Sequence, residues 1–301
     1  MTPAPSTRRR RFVRAEEPAH PLTALKLDAL RLIAESRFLS TPQVEALMGI
    51  SDRAARAHLR DLFDMGLLDV VAVPGIALGG SPFVMAPKVH LPTREGLRTL
   101  ERLDLRPPGA DRPAGYTPAQ YAFLAHELSV RDFLVWLTRS SRKHAKAGHL
   151  VERWDCGGDL QALSARPDAA FIYQFGPDPE GKGGPAVAGL LEADMGSERG
   201  TGENRYDRWA QKIGAYGAVF AEESRDALLS LLGVRRARLV VTVPTPARAD
   251  WILARAREHP VRELLWVAVR SELEGADVHS AVWQRTNGRW PFVPQTRGGR
   301  R

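Results

Sequence analysis

The sequence predicts an α/β chain, α+β overall, in two domains, and three observations carry that prediction. Residues 23–105 hold short amphipathic helical patterns, two β-branched runs and a further helical pattern. Residues 106–118, RPPGADRPAGYTP, place four prolines and two glycines in thirteen positions, which discourages any regular element and marks a boundary. Residues 119–284 then alternate long apolar helical patterns with apolar runs of strand length. A chain of 301 residues, 44% hydrophobic and 26% charged, has an ordinary globular composition and room for two cores.

In the first domain, TALKLDALRLIAESRFLS sets Leu25, Leu27, Leu30, Leu32 and Ile33 at roughly helical spacing and breaks at Arg37–Ser40. TPQVEALMG follows, with Thr41 as the expected cap, Pro42 at the first helical position and Gly49 as the stop. A third helix, SDRAARAHLRDLFDMG, is capped by Ser51, turns Ala54, Ala55, Leu59, Leu62 and Phe63 inward, and presents Arg53, Arg56, His58 and Arg60 outward. LLDVVAV and PFVMAPKVHLP, joined by the turn-rich PGIALGGS, read as a two-stranded wing, and TREGLRTLERL supplies a closing helix from Thr93. Over residues 23–105 this resembles a winged helix-turn-helix, in which the second helix of the motif enters the major groove of duplex DNA. Double-stranded DNA is therefore the expected partner, with Arg53, Arg56, His58 and Arg60 as contacts. Asp52, Asp61 and Asp64 offset much of that charge, and winged helices also dock proteins, so a protein-docking role stays open.

The second domain, 119–284, opens on AQYAFLAHELSVRDFLVWLTRSS, apolar enough to be largely buried against a sheet yet carrying His126, Glu127, Arg131 and Asp132 together. Strands are expected in LVERWD near 150–155, DAAFIYQF near 168–175 and AVAGLLEAD near 186–194, the last two joined by the loop GPDPEGKGGP. A helix at 203–222, the strand ARLVVTVPT, the helix ARADWILARAREH, the strand ELLWVAVRS and a short edge strand SAVWQR complete the order.

The first six of these elements, αβββαβ, resemble the core of the PD-(D/E)XK nuclease-like fold. Arg166-Pro167-Asp168 opens one strand in the manner of the PD element, and Glu192 ends the next, 24 residues on. The resemblance implies that Asp168 and Glu192 hold Mg²⁺ and that a lysine two residues after the Glu polarises water. Asp194 occupies that third position and cannot supply the positive charge. Two substitutes are available: Lys212, from the following helix, or Asp194 as a further ligand. The second would complete an oxygen-rich site of the kind Mg²⁺ or Mn²⁺ prefers, with Glu127 as an additional acid. Alternate strand residues share a face, so Glu192 and Asp194 point the same way. Two such acids also arise as hydrogen-bonded groups at a sheet edge without catalysis. A Mg²⁺-dependent nuclease or nickase using Asp168, Glu192 and Lys212, and a noncatalytic site, are both compatible with the residues.

Charge and excluded motifs narrow the classes further. Ten arginines fall in residues 1–14 and 285–301 with no acid, which exceeds the net charge of +8 and leaves about −2 between them. The segments 1–22, with Arg8, Arg9, Arg10 and Arg11, and 285–301 are read as basic arms able to neutralise phosphates, or simply as solubilising tails. The single Cys156 excludes an internal disulfide framework. The absence of an apolar segment of membrane or signal length predicts a cytoplasmic protein without membrane contact. EGKGG is no P-loop, MGSERG no nucleophile elbow, and the eight scattered histidines form no cluster beside a tyrosine such as a relaxase needs. Trp209, Trp251, Trp266 and Tyr216 are expected to serve packing.

Taken as a unit, the winged-helix pattern, the proline-rich boundary, HELSVRDF, RPDA, LEADMGSERG and the helix ending KIGAY resemble the replication-relaxation family of bacterial plasmids and integrative elements. The similarity runs from about residue 23 to about 245. It implies a DNA-binding accessory protein of mobile-element replication or transfer, with replication or conjugation proteins as further partners. A homodimer reading a palindrome is a compatible arrangement.

Overall fold

The computed structural model describes residues 13–15, 20–71, 88–107, 110, 121–143, 148–155, 165–176, 184–196, 208–278 and 282–291. Arg8 to Arg11, the turn of the expected wing, Cys156 and the arginines beyond 291 lie outside the described residues. The chain is α/β, with helices packed on a three-stranded and a seven-stranded sheet. It divides into two compact units, Met1–Arg131 and Asp132–Arg301. No helix among the described residues is long and apolar enough to cross a membrane.

The first unit runs α1 (Ala24–Glu35), β1 (Leu39–Ser40), α2 (Thr41–Met48), α3 (Asp52–Asp64), β2 (Leu68–Val71), β3 (Val89–Pro92), α4 (Arg94–Arg102) and the first half of α5 (Tyr121–Lys143). Its sheet is antiparallel, in the order β1-β3-β2. Side chains fix the helix starts: Ser51 accepts from the Ala54 amide and Thr93 from the Gly96 amide. At α2 the cap is Ser40, one residue before the expected Thr41. Gln43 stands at the third helical position and its side chain accepts from the Ser40 amide, closing a reciprocal box. Thr41 is thereby released to pair its hydroxyl with His90 Nε2 at 3.0 Å. Gly49 ends the helix at φ 65°, a left-handed conformation that glycine adopts without penalty. Leu30, Ile33, Phe38, Leu39, Leu47 and Leu59 form the buried centre.

The units divide inside α5, within the helix expected to open the second domain. Leu124 and Leu128 pack with Phe38, Val89 and Leu91. The Leu128 carbonyl accepts from Gln43, and Arg131 donates to the Ser36 carbonyl at 2.9 Å while lying over the Phe38 ring. Apolar cover for Phe38 thus comes from residues beyond the proline-rich segment.

The second unit holds the second half of α5, β4 (Gly148–Asp155), β5 (Ala169–Phe175), β6 (Ala186–Ala193), α6 (Arg208–Val219), α7 (Glu222–Leu231), β7 (Ala237–Val243), α8 (Pro246–Ala256), β8 (Leu265–Val269), α9 (Arg270–Leu273), β9 (Val282–Arg285) and β10 (Gly288–Pro291). The sheet order is β10-β9-β8-β7-β6-β5-β4, parallel through β6, β7 and β8 and antiparallel on both flanks. One face carries Leu190, Leu239, Val241 and Val267 against Trp209, Ile213 and Tyr216 of α6 and Ala249 and Ile252 of α8. On the other, Phe133 of α5 meets Phe171 at 5.7 Å and Trp283 at 6.3 Å between ring centres. Gly189 makes room for that aromatic layer, since a Cβ there would stand 2.2 Å from the Phe171 ring. The strand SAVWQR, expected at the edge, is covered by β10, which forms within the segment expected to be basic tail.

Candidate functional site

The parallel strands β6 and β7 bring the acids of LLEADMGSERG to one end of the sheet. The Asp168 amide donates to the Leu191 carbonyl and the Asp168 carboxylate accepts from the Ala193 amide, both at 2.8 Å, so Asp168 is fixed across the hairpin beside Glu192. Glu192 is 2% exposed and lies on the α6 face of the sheet. Lys212 and Tyr216, one helical turn apart, both reach it: Lys212 Nζ is 2.8 Å from Oε2 and the Tyr216 hydroxyl 2.6 Å from Oε1. Asp168, Glu192 and Lys212, expected to act together, are therefore neighbours.

Asp194 shares that face and is held differently. The Asp194 amide donates to the Thr242 carbonyl of β7 at 2.9 Å, which places the carboxylate beneath α8. There Arg248 donates from Nε and from its terminal nitrogen, the latter at 2.7 Å, with the Asp194 side chain fully enclosed and that of Arg248 9% exposed. Trp209 Nε1 and the Gly196 amide donate to the same carboxylate, and Arg270 donates to the Asp194 carbonyl at 2.9 Å. Trp209, expected only to pack, also serves as a donor.

These surroundings push the two acids apart. Burial, and next the charge of Asp168, raise Glu192 from its ordinary 4.5 to about 7, against the pull of Lys212 and Tyr216. Burial opposes the ionisation of Asp194 as well, but the hydrogen bonds from Arg248, Trp209 and Gly196 outweigh it and hold Asp194 below its ordinary value. Asp194 is thus a firm anion, and Glu192 gains or loses a proton near neutrality.

A magnesium-type ion asks for six oxygens in near-octahedral array. Among the described residues no three His, Cys, Asp or Glu side chains group so as to hold a metal ion. Each oxygen of Glu192 already accepts one hydrogen bond, Asp194 is enclosed by its donors, and Asp168 accepts from the chain. Among the described residues, these acids are thus matched by protein donors and are not grouped as metal ligands. Glu127, the remaining expected ligand, is half-buried in the first unit.

The expected DNA-contact residues of α3 separate into two groups. Arg53 is exposed and makes no ion pair among the described residues, and Arg56 is exposed and paired with Asp52 at 2.9 Å. His58 is half-buried. Arg60 turns away: it pairs with Asp64, donates to the Val13 carbonyl at 2.7 Å and lies over Phe63, where Arg14 also stacks. The remaining acid, Asp61, is taken by Lys26 of α1 at 2.9 Å. Two of the three acids that offset the helix charge are therefore matched away from the Arg53 surface.

The residues that sequence reasoning missed are Arg248 and Arg270. Their partner stands 54 and 76 positions earlier, and the β6–β7 and β7–β8 pairings bring them to it. Tyr216 carried a signal in its four-residue spacing from Lys212.

Comparison with curated proteins and with solved structures gives no match. The family model described as replication-relaxation matches residues 30–229, from α1 to α7 and including Asp168, Glu192, Asp194, Lys212 and Tyr216. That match covers most of the chain and points to a role in plasmid or mobile-element replication, and the chain belongs to the replication-relaxation family.

Proposed function

We propose that this protein is a DNA-binding accessory factor of plasmid or mobile-element replication, whose first unit is a winged helix that docks α3 on duplex DNA. The observation that carries the reading is the order α1-β1-α2-α3-β2-β3-α4 around an antiparallel β1-β3-β2 sheet, with Arg53 and Arg56 left on the exposed surface of α3. In such a fold the N-terminal part of the recognition helix reaches the base edges. Arg53 and Arg56 lie there, whereas Arg60 supports the segment Val13–Ala15. The second unit has a noncatalytic role in this reading, because its acids are already matched by Lys212, Tyr216, Arg248, Trp209 and backbone amides. Arg8 to Arg11 add sequence-independent affinity by neutralising phosphates.

The test is duplex binding by the full chain across a salt series. Arg53→Glu should weaken binding about tenfold or more and reduce the salt slope by ~1 for each phosphate no longer neutralised. Unchanged binding would remove α3 from the interface.

A second reading rests on one observation, that Asp168, Glu192 and Lys212 converge. Under it the protein nicks supercoiled plasmid with Mg²⁺, and Glu192→Ala abolishes nicking while plasmid binding persists. The donors that already surround the acids favour the first reading.

A further inference from the structure

The second unit has another charged site, at the sheet end remote from Glu192 and Asp194. A cavity of about 540 Å³ opens where β7 and β8 begin, and five arginines but only two acids line it. Arg238 lies over the Trp266 ring at 4.0 Å, and Arg285, from β9, stands 5.1 Å from the same ring. Trp266 is 6% exposed, and both guanidiniums lie within cation–π distance of its ring.

The acids do not balance this set. Asp226 is 3.6 Å from Arg225, and Glu263 is 3.4 Å from Arg285 and 3.2 Å from Arg262. Arg235 and Arg236 are exposed and make no ion pair among the described residues. The Nε of Arg285 is buried with no hydrogen-bond partner among them. Burial lowers Arg238 to about 10, and the charges of Arg285 and Arg236 push in the same direction. A buried donor without an acceptor and a surplus of guanidiniums are both relieved by a multiply charged anion. Guanidiniums match phosphate oxygens in bidentate pairs.

We propose that this pocket binds phosphate groups, presented either by a nucleic-acid strand or by a free nucleotide. The site lies in the second unit and does not depend on the role proposed for α3.

The experiment uses the full chain with two probes, inorganic tripolyphosphate by calorimetry and a labelled single-stranded oligonucleotide by anisotropy. Three proteins are compared with wild type: Arg235→Glu/Arg236→Glu in the pocket, Arg94→Glu/Arg98→Glu as an equal charge change on exposed positions of α4, and Arg53→Glu. The pocket variant should weaken tripolyphosphate about tenfold or more, while the α4 variant and Arg53→Glu stay within about twofold. If the oligonucleotide is weakened too, with its salt slope reduced by ~0.7 for each phosphate no longer neutralised, the phosphates belong to a strand. If only tripolyphosphate is weakened, they belong to a free nucleotide. The proposal is overturned if wild type does not bind tripolyphosphate, if the pocket variant binds it equally well, or if both double variants weaken it alike. Loss of duplex binding by Arg53→Glu with tripolyphosphate unaffected would support the α3 reading without touching this one.

Discussion

The two ends of the parallel strands in the second unit carry opposite charges and have met opposite fates. At the end of β6, Glu192 and Asp194 are enclosed, and every oxygen is matched by a donor from α6, α8 or the backbone. At the start of β7, four residues before Thr242 and about 13 Å away along the strand, Arg238 joins a group of arginines that outnumber their acids. Buried charge persists in a fold only when it is paired. The acidic end meets that condition within the chain, so its parts act as an internal tie between β6, α6 and α8. The basic end leaves the exposed Arg235 and Arg236 without an ion pair among the described residues, at a cavity where an outside anion can meet them.

The difference between the ends is most severely tested at Arg248. Arg248→Ala leaves the enclosed Asp194 carboxylate without its main partner and should cost ~3–5 kcal/mol in urea denaturation, with the midpoint falling and the slope unchanged. A loss within the range of a surface change would show that the tie is not structural. Gly189→Ala comes next, at ~1–3 kcal/mol, because the new methyl group collides with the Phe171 ring that supports the same strand.

Glu192 distinguishes the acidic end through pH. Its folded value of about 7 lies above its ordinary 4.5, so the folded protein binds this proton more tightly than the unfolded chain. The stability it contributes is full below about 4.5 and is lost as pH rises through about 7. Asp194 runs the other way: its contribution is present above the ordinary 3.8 and is lost as pH falls through its lower folded value. Denaturation of the wild type should therefore show falling stability as pH rises from about 4.5 through about 7, and Glu192→Gln should flatten that fall. A fall retained by Glu192→Gln would assign it to another group. The smallest expected effect is at the basic end, where Arg235→Glu/Arg236→Glu should change stability by no more than ~0.5 kcal/mol, since both positions are exposed.

How far the sequence reveals these two ends depends on the span of chain each contact crosses. The Asp168–Glu192 meeting follows from one hairpin, and the α6 contribution from residues spaced by a helical turn, so both are legible. Capping is local too, yet Ser40 takes the place expected for Thr41 because Gln43 completes a box that a cap at Thr41 would leave open. The pairing of Asp194 with Arg248 depends on a parallel crossover that no local pattern records. Nor does a local pattern record the meeting of Arg285 and Trp266, brought together across the antiparallel β9 and β8. The unit boundary inside α5 is hidden because the helix is apolar along its length, and only the need to cover Phe38 decides where its first half packs. The replication-relaxation family is readable because HELSVRDF, RPDA and LEADMGSERG are each contiguous runs of the sequence, all within the matched residues 30–229.

If the acidic end is an internal tie, the DNA binding proposed for α3 does not run through it. Incubating the full chain with supercoiled plasmid in Mg²⁺, and resolving binding and nicking on one gel, tests this most directly. The expected result is a shifted but intact supercoiled band, with the shift lost in Arg53→Glu and kept in Glu192→Gln. An open-circular product formed by wild type and absent with Glu192→Gln would contradict it.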